Sequence, residues 1–161
     1  MSYVSATFAV FPYPRRIVYE ALSDLSRSSL WDVSIVSISP LEVMREGLRF
    51  KVSSYICGIR NNSIVAVERM VKDELIELSS RTGLFSYRVL YNFVENSSNE
   101  TEVICTLRFE FSGFIFNAPR RVIESMAKMR CQRDLVNLRS YIIRSTPEAS
   151  AAKTSQSPPL P

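Results

Sequence analysis

The 161-residue sequence contains no histidine. Histidine is the usual general base near neutral pH, the partner of catalytic serine and cysteine, and the commonest ligand of zinc and iron. Its absence argues against these chemistries, while Asp, Glu, Lys and Tyr could still transfer protons. Because no catalytic constellation is visible, we lean toward a non-enzymatic role and expect no catalytic residue, no metal and no cofactor.

Cysteine is also scarce, with only Cys57, Cys105 and Cys131. An odd number without CxxC spacing argues against a disulfide framework and against a zinc site. All three lie in apolar or helical runs, which predicts buried thiols. Arg130 and Arg133 flank Cys131 and could lower its pKa, so a reactive thiol is the alternative there. Cysteine usage of this kind is typical of a reducing cytoplasm.

Long apolar runs are missing as well. No stretch of about 18 apolar residues exists that could form a membrane-spanning helix. The first residues lack the basic and apolar regions of a secretion signal, so we expect a cytoplasmic protein. A chain that is 46% hydrophobic and 22% charged is typical of one folded domain, predicted to cover residues 1–144.

Positive charge is concentrated near the C-terminus. Residues 118–144 contain seven basic and two acidic side chains. This segment could contact anionic lipid, nucleic acid or an acidic partner, although a solvated helix face is the simpler interpretation. No nucleic-acid-binding motif is present, so we expect no nucleic acid and keep peripheral membrane contact as a possibility.

Seven segments alternate between apolar and polar residues, which is typical of strands with one buried face. They cover 3–11, 33–39, 48–57, 63–71, 75–81, 84–94 and 101–112. Asn61-Asn62 and the polar run 96–99 are interpreted as turns. Strands at this spacing, joined by short turns, predict an antiparallel meander.

Three segments have helical periodicity instead. They are 14–24, which begins at a proline suited to a first turn; 25–31, with Ser26 as its candidate cap; and 118–143. In the last helix the spacing predicts one face toward the sheet and another toward water. The expected inward residues are Ile123, Met126, Ala127, Leu135 and Leu138, and the expected outward residues are Arg121, Lys128 and Arg139. Residues 145–161 have no periodicity and are predicted to be a disordered tail.

This order of elements indicates an α+β fold and resembles the helix-grip fold of the START-like, or SRPBCC, superfamily. The N-terminal part resembles the polyketide cyclase/dehydrase-like branch through Pro14, Val18, Tyr19, Leu22, Asp24 and Trp31. The resemblance covers about residues 3–143. It implies a curved antiparallel sheet of about seven strands wrapped around a long C-terminal helix, with short helices after the first strand. It also implies a cavity between sheet and helix, but it carries no catalytic motif onto this sequence.

The expected function is therefore binding or carriage of a small hydrophobic ligand, such as a lipid, a quinone or a polyketide-like compound. The alternatives are a cyclase or dehydratase-type enzyme, or an accessory protein acting at a membrane surface. The candidate ligand-binding residues come from the aromatic-rich strands, the last helix and the N-terminal tryptophan. They are Trp31, Phe50, Tyr87, Val89, Tyr91, Leu107, Phe109, Ile123, Met126 and Ala127.

For several of these residues a purely structural role explains the pattern as well as ligand binding does. The aromatic row could be plain core, Met126 and Met129 could fill a core rather than form a cavity wall, and Trp31 could plug the fold rather than control access. Glu68 and Arg69 interrupt an apolar strand. Because neighbouring side chains alternate faces, one of the two is expected to point inward, paired or bound to a ligand.

Overall fold

Seven strands and three helices make up the described part of the chain, which in this computed structural model comprises residues 2–56, 58–97, 99–111 and 118–146. The strands are β1 (Ser2–Phe11), β2 (Ile35–Ser39), β3 (Arg49–Ile56), β4 (Ile59–Val71), β5 (Leu75–Ser80), β6 (Phe85–Ser97) and β7 (Glu100–Phe111). The helices are α1 (Arg15–Ser23), α2 (Leu25–Trp31) and α3 (Arg120–Ser145). The predicted elements are therefore present, with boundaries that shift by a few residues. Most of the predicted tail 145–161 lies outside the described residues.

All seven strands pair antiparallel in one sheet, in the order β1-β7-β6-β5-β4-β3-β2. Strands β2 to β7 follow one another along the sheet, which confirms the predicted meander. β1 and β2 lie at opposite edges, so α1 and α2 carry the chain from one edge to the other. α3 packs against β1, β7, α1 and α2. The result is the helix-grip α+β fold that the sequence predicted.

The helix starts follow from local chemistry. Pro14 and Pro119 occupy the N-cap positions of α1 and α3, where the missing N–H of proline is harmless. The cap of α2 is Asp24, whose carboxylate accepts a hydrogen bond from the Ser26 backbone N–H at 3.0 Å. The prediction of Ser26 as the cap is therefore wrong. Asp24 lies just outside the helix with extended backbone, as a capping residue requires.

The turn between β3 and β4 also differs from the prediction. Asn61 and Asn62 lie within β4 and pair with Ser54 and Ser53 of β3. The two strands are instead joined around Gly58, which has a φ of 77° that glycine adopts without strain. The Asn61 side chain is buried, and its Oδ1 accepts a hydrogen bond from the Leu84 N–H at 2.8 Å. Asn61 is thus a bridging residue rather than a turn residue.

Glu68 and Arg69 do not place a charge in the core: both side chains are exposed, so the expectation that one of them points inward is wrong. The register between β4 and β5 shifts between Val67 and Arg69, which marks an irregularity of the β-bulge type. Such a shift interrupts the strict alternation of faces on which the prediction relied. Glu68 accepts a hydrogen bond from the Ser79 hydroxyl on the neighbouring strand.

The inward face of α3 is narrower than predicted. Ile123, Leu135 and Leu138 are buried as expected, and Ala127 is half-buried. Arg121, Lys128 and Arg139 are exposed, also as expected. Met126 does not face the sheet core, because 43% of its surface is exposed. It lies beside an opening between helix and sheet.

Candidate functional site

A cavity of about 1030 Å³ lies between the sheet and α3. Its walls include the inner faces of β3 to β7, residues of α2 and the part of α3 from Ile123 to Asp134. Pockets that hold small organic ligands measure about 300–1,000 Å³, so this one is at the upper end of that range. Most lining side chains are apolar or aromatic, and a few polar groups interrupt them.

All ten predicted site residues lie on the wall of this cavity. They come from α2, three strands and α3, and the fold brings them together around one space. They are Trp31, Phe50, Tyr87, Val89, Tyr91, Leu107, Phe109, Ile123, Met126 and Ala127. Their contact with a ligand remains a prediction.

The aromatic row on β6 serves two purposes. Phe93 is 3% exposed and packs edge-to-face on Tyr19 of α1, with 5.4 Å between ring centroids. It belongs to the core. Phe85, Tyr87 and Tyr91 line the cavity instead. The row therefore passes from packed core to cavity wall along one strand.

The two tyrosine hydroxyls are held in their protonated form. Burial raises the pKa of Tyr87 to about 12, although Arg130 and a hydrogen bond with Ser63 act in the opposite direction. Burial also raises the pKa of Tyr91 well above 10, with further contributions from Cys105, Cys131 and Asp134. At neutral pH both phenols are neutral hydrogen-bonding groups on the wall of the cavity.

Exposed side chains surround the mouth of the cavity. Val33, Tyr55, Met126 and Met129 all line it, yet 78%, 50%, 43% and 69% of their surfaces are exposed, respectively. The mouth thus lies between α3, the segment after α2 and the β3–β4 hairpin. Both methionines are rim residues, so the interpretation as core filling is wrong for them.

Arg130 connects the three elements around the mouth. Its guanidinium donates to Ser34 Oγ at 2.9 Å and to the Tyr55 carbonyl at 3.3 Å. It also lies 3.9 Å from Asp32 Oδ2 and 3.6 Å from Asp134 Oδ2. One cation therefore serves two carboxylates and two neutral acceptors, and it holds α3 against the sheet beside the opening.

Asp134 titrates closer to neutrality than an ordinary carboxyl. Burial raises its pKa to about 6, and the negative charge of Asp32 adds to the shift, while Arg130 and Arg133 oppose it. Its Oδ1 atom is buried and makes no hydrogen bond, and Arg133 Nη2 lies 3.6 Å from it. A carboxyl of this kind exchanges protons readily near neutral pH.

Trp31 lies on the cavity wall and belongs to the half-buried residues around the main core. Its indole Nε1 is buried and has no hydrogen-bond partner. The ring therefore packs on the core and borders the cavity, and its control of access stays a prediction.

Sequence reasoning missed the polar groups of the cavity, of which Asp32, Arg130 and Asp134 are the most important. The spacing of Arg130 and Asp134 by four residues on a helix is a detectable signal for an ion pair. Asp32 carries no comparable signal, because its partner is far away in the sequence. Ser54, Asn61 and Ser63 were missed for a similar reason, since nothing in the local pattern of a strand marks a polar residue as part of a cavity wall.

The described residues contain no group of three or more Cys, Asp or Glu side chains arranged to hold a metal ion. Within the same part of the chain, no helix is both long enough and apolar enough to cross a membrane.

No protein-family model and no curated protein matches the sequence. Solved structures do match. A START superfamily protein from Mycobacterium smegmatis has a TM-score of 0.78 at 15% identity, covering 89% of this chain and 99% of that one. A protein from Thermus thermophilus has a TM-score of 0.77 at 19% identity, covering 89% and 99%. The Zhui aromatase/cyclase from a Streptomyces species has a TM-score of 0.76 at 13% identity, covering 89% and 95%.

These similarities, together with the strand order and the gripped helix, show that the chain has the START-like, or SRPBCC, fold. The fold resemblance predicted from the sequence is confirmed.

Proposed function

We propose that this protein binds and carries a small hydrophobic ligand, such as a lipid, a quinone or a polyketide-like compound, between the sheet and α3. The cavity of about 1030 Å³ carries this proposal. Protein interiors are close-packed and contain few voids larger than a water molecule. An apolar space of this size is therefore best explained by a ligand that fills it.

The side chains on the cavity wall also indicate the chemistry of the ligand. Val89, Leu107 and Ile123 present apolar surface, while Tyr87 and Tyr91 present neutral hydroxyls. A ligand that matches this wall has an apolar body and a small number of hydrogen-bonding groups. Because the charged groups Asp32, Arg130 and Asp134 on the wall are paired with one another, a compact charged metabolite would lose its hydration without adequate replacement.

Two measurements test the proposal. Native mass spectrometry of the purified protein should detect a retained small molecule, and an apolar naphthalene-sulfonate probe should bind saturably. Val89→Phe fills the cavity and should weaken probe binding about tenfold or more. Val36→Phe is the matched control, because Val36 is 51% exposed and does not line the cavity. Absence of both a retained molecule and saturable binding would overturn the proposal.

A second candidate function is catalysis of the cyclase or dehydratase type. The observation in its favour is that Tyr91, Cys131 and Asp134 meet on one wall, and that the carboxyl of Asp134 has a pKa of about 6. General acids and bases work best when their pKa lies near the working pH. Glu68 and Arg69, one of which was expected to point inward, lie outside the cavity lining and are not candidates for this chemistry.

Turnover of a synthetic poly-β-keto thioester would distinguish the enzyme from the carrier. The enzyme requires that Tyr91→Phe and Asp134→Asn each slow the reaction while probe binding persists. Binding without turnover in the unmodified protein contradicts the enzyme and agrees with the carrier.

We also propose that the mouth touches an anionic membrane surface while the ligand enters or leaves. The exposed apolar rim, Met129 above all, would enter the interface, and Lys128 and Arg133 nearby would face lipid headgroups. Cytoplasmic location, expected from cysteine usage, would place the protein beside an anionic leaflet.

Sedimentation with phosphatidylcholine vesicles, with and without phosphatidylserine, tests this contact at low and high salt. Met129→Ser should reduce binding. Ile143→Ser should not, because Ile143 is 42% exposed on the same helix but does not line the cavity. Failure to bind anionic vesicles at low salt would refute the membrane contact alone.

A further inference from the structure

Two thiols from different elements meet at the wall of the cavity. Cys105 lies on β7, opposite Thr7 of β1 and Tyr91 of β6, and is 1% exposed. Cys131 lies on α3, is 8% exposed and lines the cavity. Both residues belong to the same buried side-chain cluster, and the interaction between the two thiols shifts their pKa values in opposite directions. Ligand carriage does not require such a pair, since any two small apolar side chains would fill the same space.

The helix is anchored at this position. The Thr7 hydroxyl donates to the side-chain oxygen of Gln132, the residue next to Cys131. Thr7 is also the register partner of Cys105. Thr7 therefore links the strand position of Cys105 to the helix residue next to Cys131, which places both cysteines in the same part of the fold.

We propose that Cys105 and Cys131 form an oxidisable dithiol, which a peroxide that enters through the cavity converts into an intramolecular disulfide between β7 and α3. Cys131 reacts first, because it lines the cavity and Cys105 does not. The proposal uses the cavity as a route for the oxidant and does not depend on the identity of a carried ligand.

The reaction balances in two steps. The Cys131 thiol releases its proton, and the thiolate attacks one peroxide oxygen, so that an S–O bond forms and the O–O bond breaks. The other oxygen takes up a proton in place of the one released and leaves as water or as an alcohol. Cys105 sulfur then attacks the sulfenic acid, an S–S bond forms, and water leaves with the Cys105 proton. The two thiols lose two electrons and the peroxide gains them.

The surroundings favour these roles. The interaction with the Cys105 thiol lowers the pKa of Cys131, and the charge of Arg130 acts in the same direction, whereas burial and Asp134 oppose it. The same interaction and burial raise the pKa of Cys105. Cys131 is thus the better nucleophile and Cys105 the resolving thiol.

The experiment uses the full chain with Cys57→Ser. This substitution removes the third thiol of the chain, which could otherwise react with the peroxide or with either of the other two cysteines. The folded protein is treated with hydrogen peroxide or with cumene hydroperoxide. The expected product has lost the mass of two hydrogen atoms, and its peptide map joins Cys105 to Cys131. Adding Cys105→Ser or Cys131→Ser should abolish that product.

Alkylation of the single-cysteine proteins tests the order of reaction. Cys131 in the Cys105→Ser protein should react about tenfold or more faster than Cys105 in the Cys131→Ser protein. The proposal is overturned if the cross-link forms only after unfolding, or if folded protein gives Cys131 sulfinic acid without a cross-link. The cross-link is detected by mass and by peptide map, so a failure of this proposal is distinguishable from a failure of ligand binding, which is measured by probe titration.

Discussion

Arg130 of α3 and Asp32, the residue that follows α2, form an ion pair at the mouth of the cavity, with 3.9 Å between Nη2 and Oδ2. Asp134 approaches the same guanidinium from the other side, with 3.6 Å between Oδ2 and Nε. Both carboxylates are mostly buried, so Arg130 is a counter-ion for two groups that would otherwise repel each other, while Arg133 lies 3.6 Å from the other oxygen of Asp134. We therefore expect the stability of the protein to depend on Arg130 and, through the protonation of Asp134, on pH.

Replacing Arg130 with Ala leaves the Asp32 and Asp134 carboxylates facing each other without this cation. We expect the free energy of unfolding to fall by about 1–3 kcal/mol, less than for a fully buried pair because the site borders solvent. Urea denaturation at neutral pH measures the loss. Arg139→Ala is the control on the same helix and should change stability by no more than about 0.5 kcal/mol, since Arg139 is exposed. Equal losses in the two variants would show that the ion pairs contribute nothing.

The raised pKa of Asp134 predicts a specific dependence of stability on pH. Folding raises this pKa from 3.8 to about 6, so the folded protein binds the proton more tightly than the unfolded chain. Its contribution to stability is greatest below the unfolded pKa and is lost as pH rises through the folded one. Asp134→Asn cannot lose a proton. As pH rises from about 4 to about 7, the unfolding free energy of the variant should therefore increase by about 2–3 kcal/mol relative to that of the unmodified protein.

Urea denaturation across this pH range supplies the comparison, and parallel curves for the two proteins would contradict the assignment. The Arg130→Ala background provides a control. Because Arg130 lowers the pKa of Asp134, removing Arg130 should shift the pH range over which the stability difference develops to higher pH.

The fold could be predicted from the sequence because its elements differ in period. The alternation of apolar and polar residues with a period of two located the strands. The helical spacing of apolar residues on α3 predicted that Leu135 and Leu138 face the sheet. Most of the residues that line the cavity were chosen from these faces, whereas the cavity itself was implied by the family resemblance and Trp31 was chosen for its position at the end of α2. Choosing the buried face of β1 was harder, since Val4 and Phe8 are exposed while Ser5 and Thr7 are buried. Thr7 faces inward because it contacts Gln132 of α3, a relationship that no local pattern contains.

The polar part of the site could not be predicted for a similar reason. The pairing of Asp32 with Arg130 depends on where α3 crosses the segment after α2. The irregularity near Glu68 shifts the register between β4 and β5 by one residue, and no glycine or proline in the sequence indicates this shift. Local patterns determine faces, whereas charge partners and register shifts depend on tertiary packing.

Leu135 and Leu138 should behave as fully packed core residues. They are 2% and 0% exposed, and neither lines the cavity. Replacing either with Ala should cost about 2–5 kcal/mol of unfolding free energy. Leu107→Ala is the matched comparison and should cost less, because Leu107 already borders the cavity and has fewer wall contacts to lose. A cost at Leu107 as large as that at Leu138 would indicate that the cavity wall is packed like the core.

Ala127→Leu tests whether α3 is a cavity wall in its N-terminal half. Ala127 is half-buried and lines the cavity, so a larger side chain there has open space to enter. We expect the affinity for an apolar naphthalene-sulfonate probe to fall several-fold while stability changes by less than about 1 kcal/mol. Ala21→Leu is the matched control. Ala21 is 3% exposed in the core and does not line the cavity, so the same change should overpack it and cost about 1–3 kcal/mol. Probe titration and urea denaturation of both variants separate the two effects. If Ala127→Leu destabilised the protein as much as Ala21→Leu and left probe binding intact, the helix would face the sheet differently from the arrangement described above.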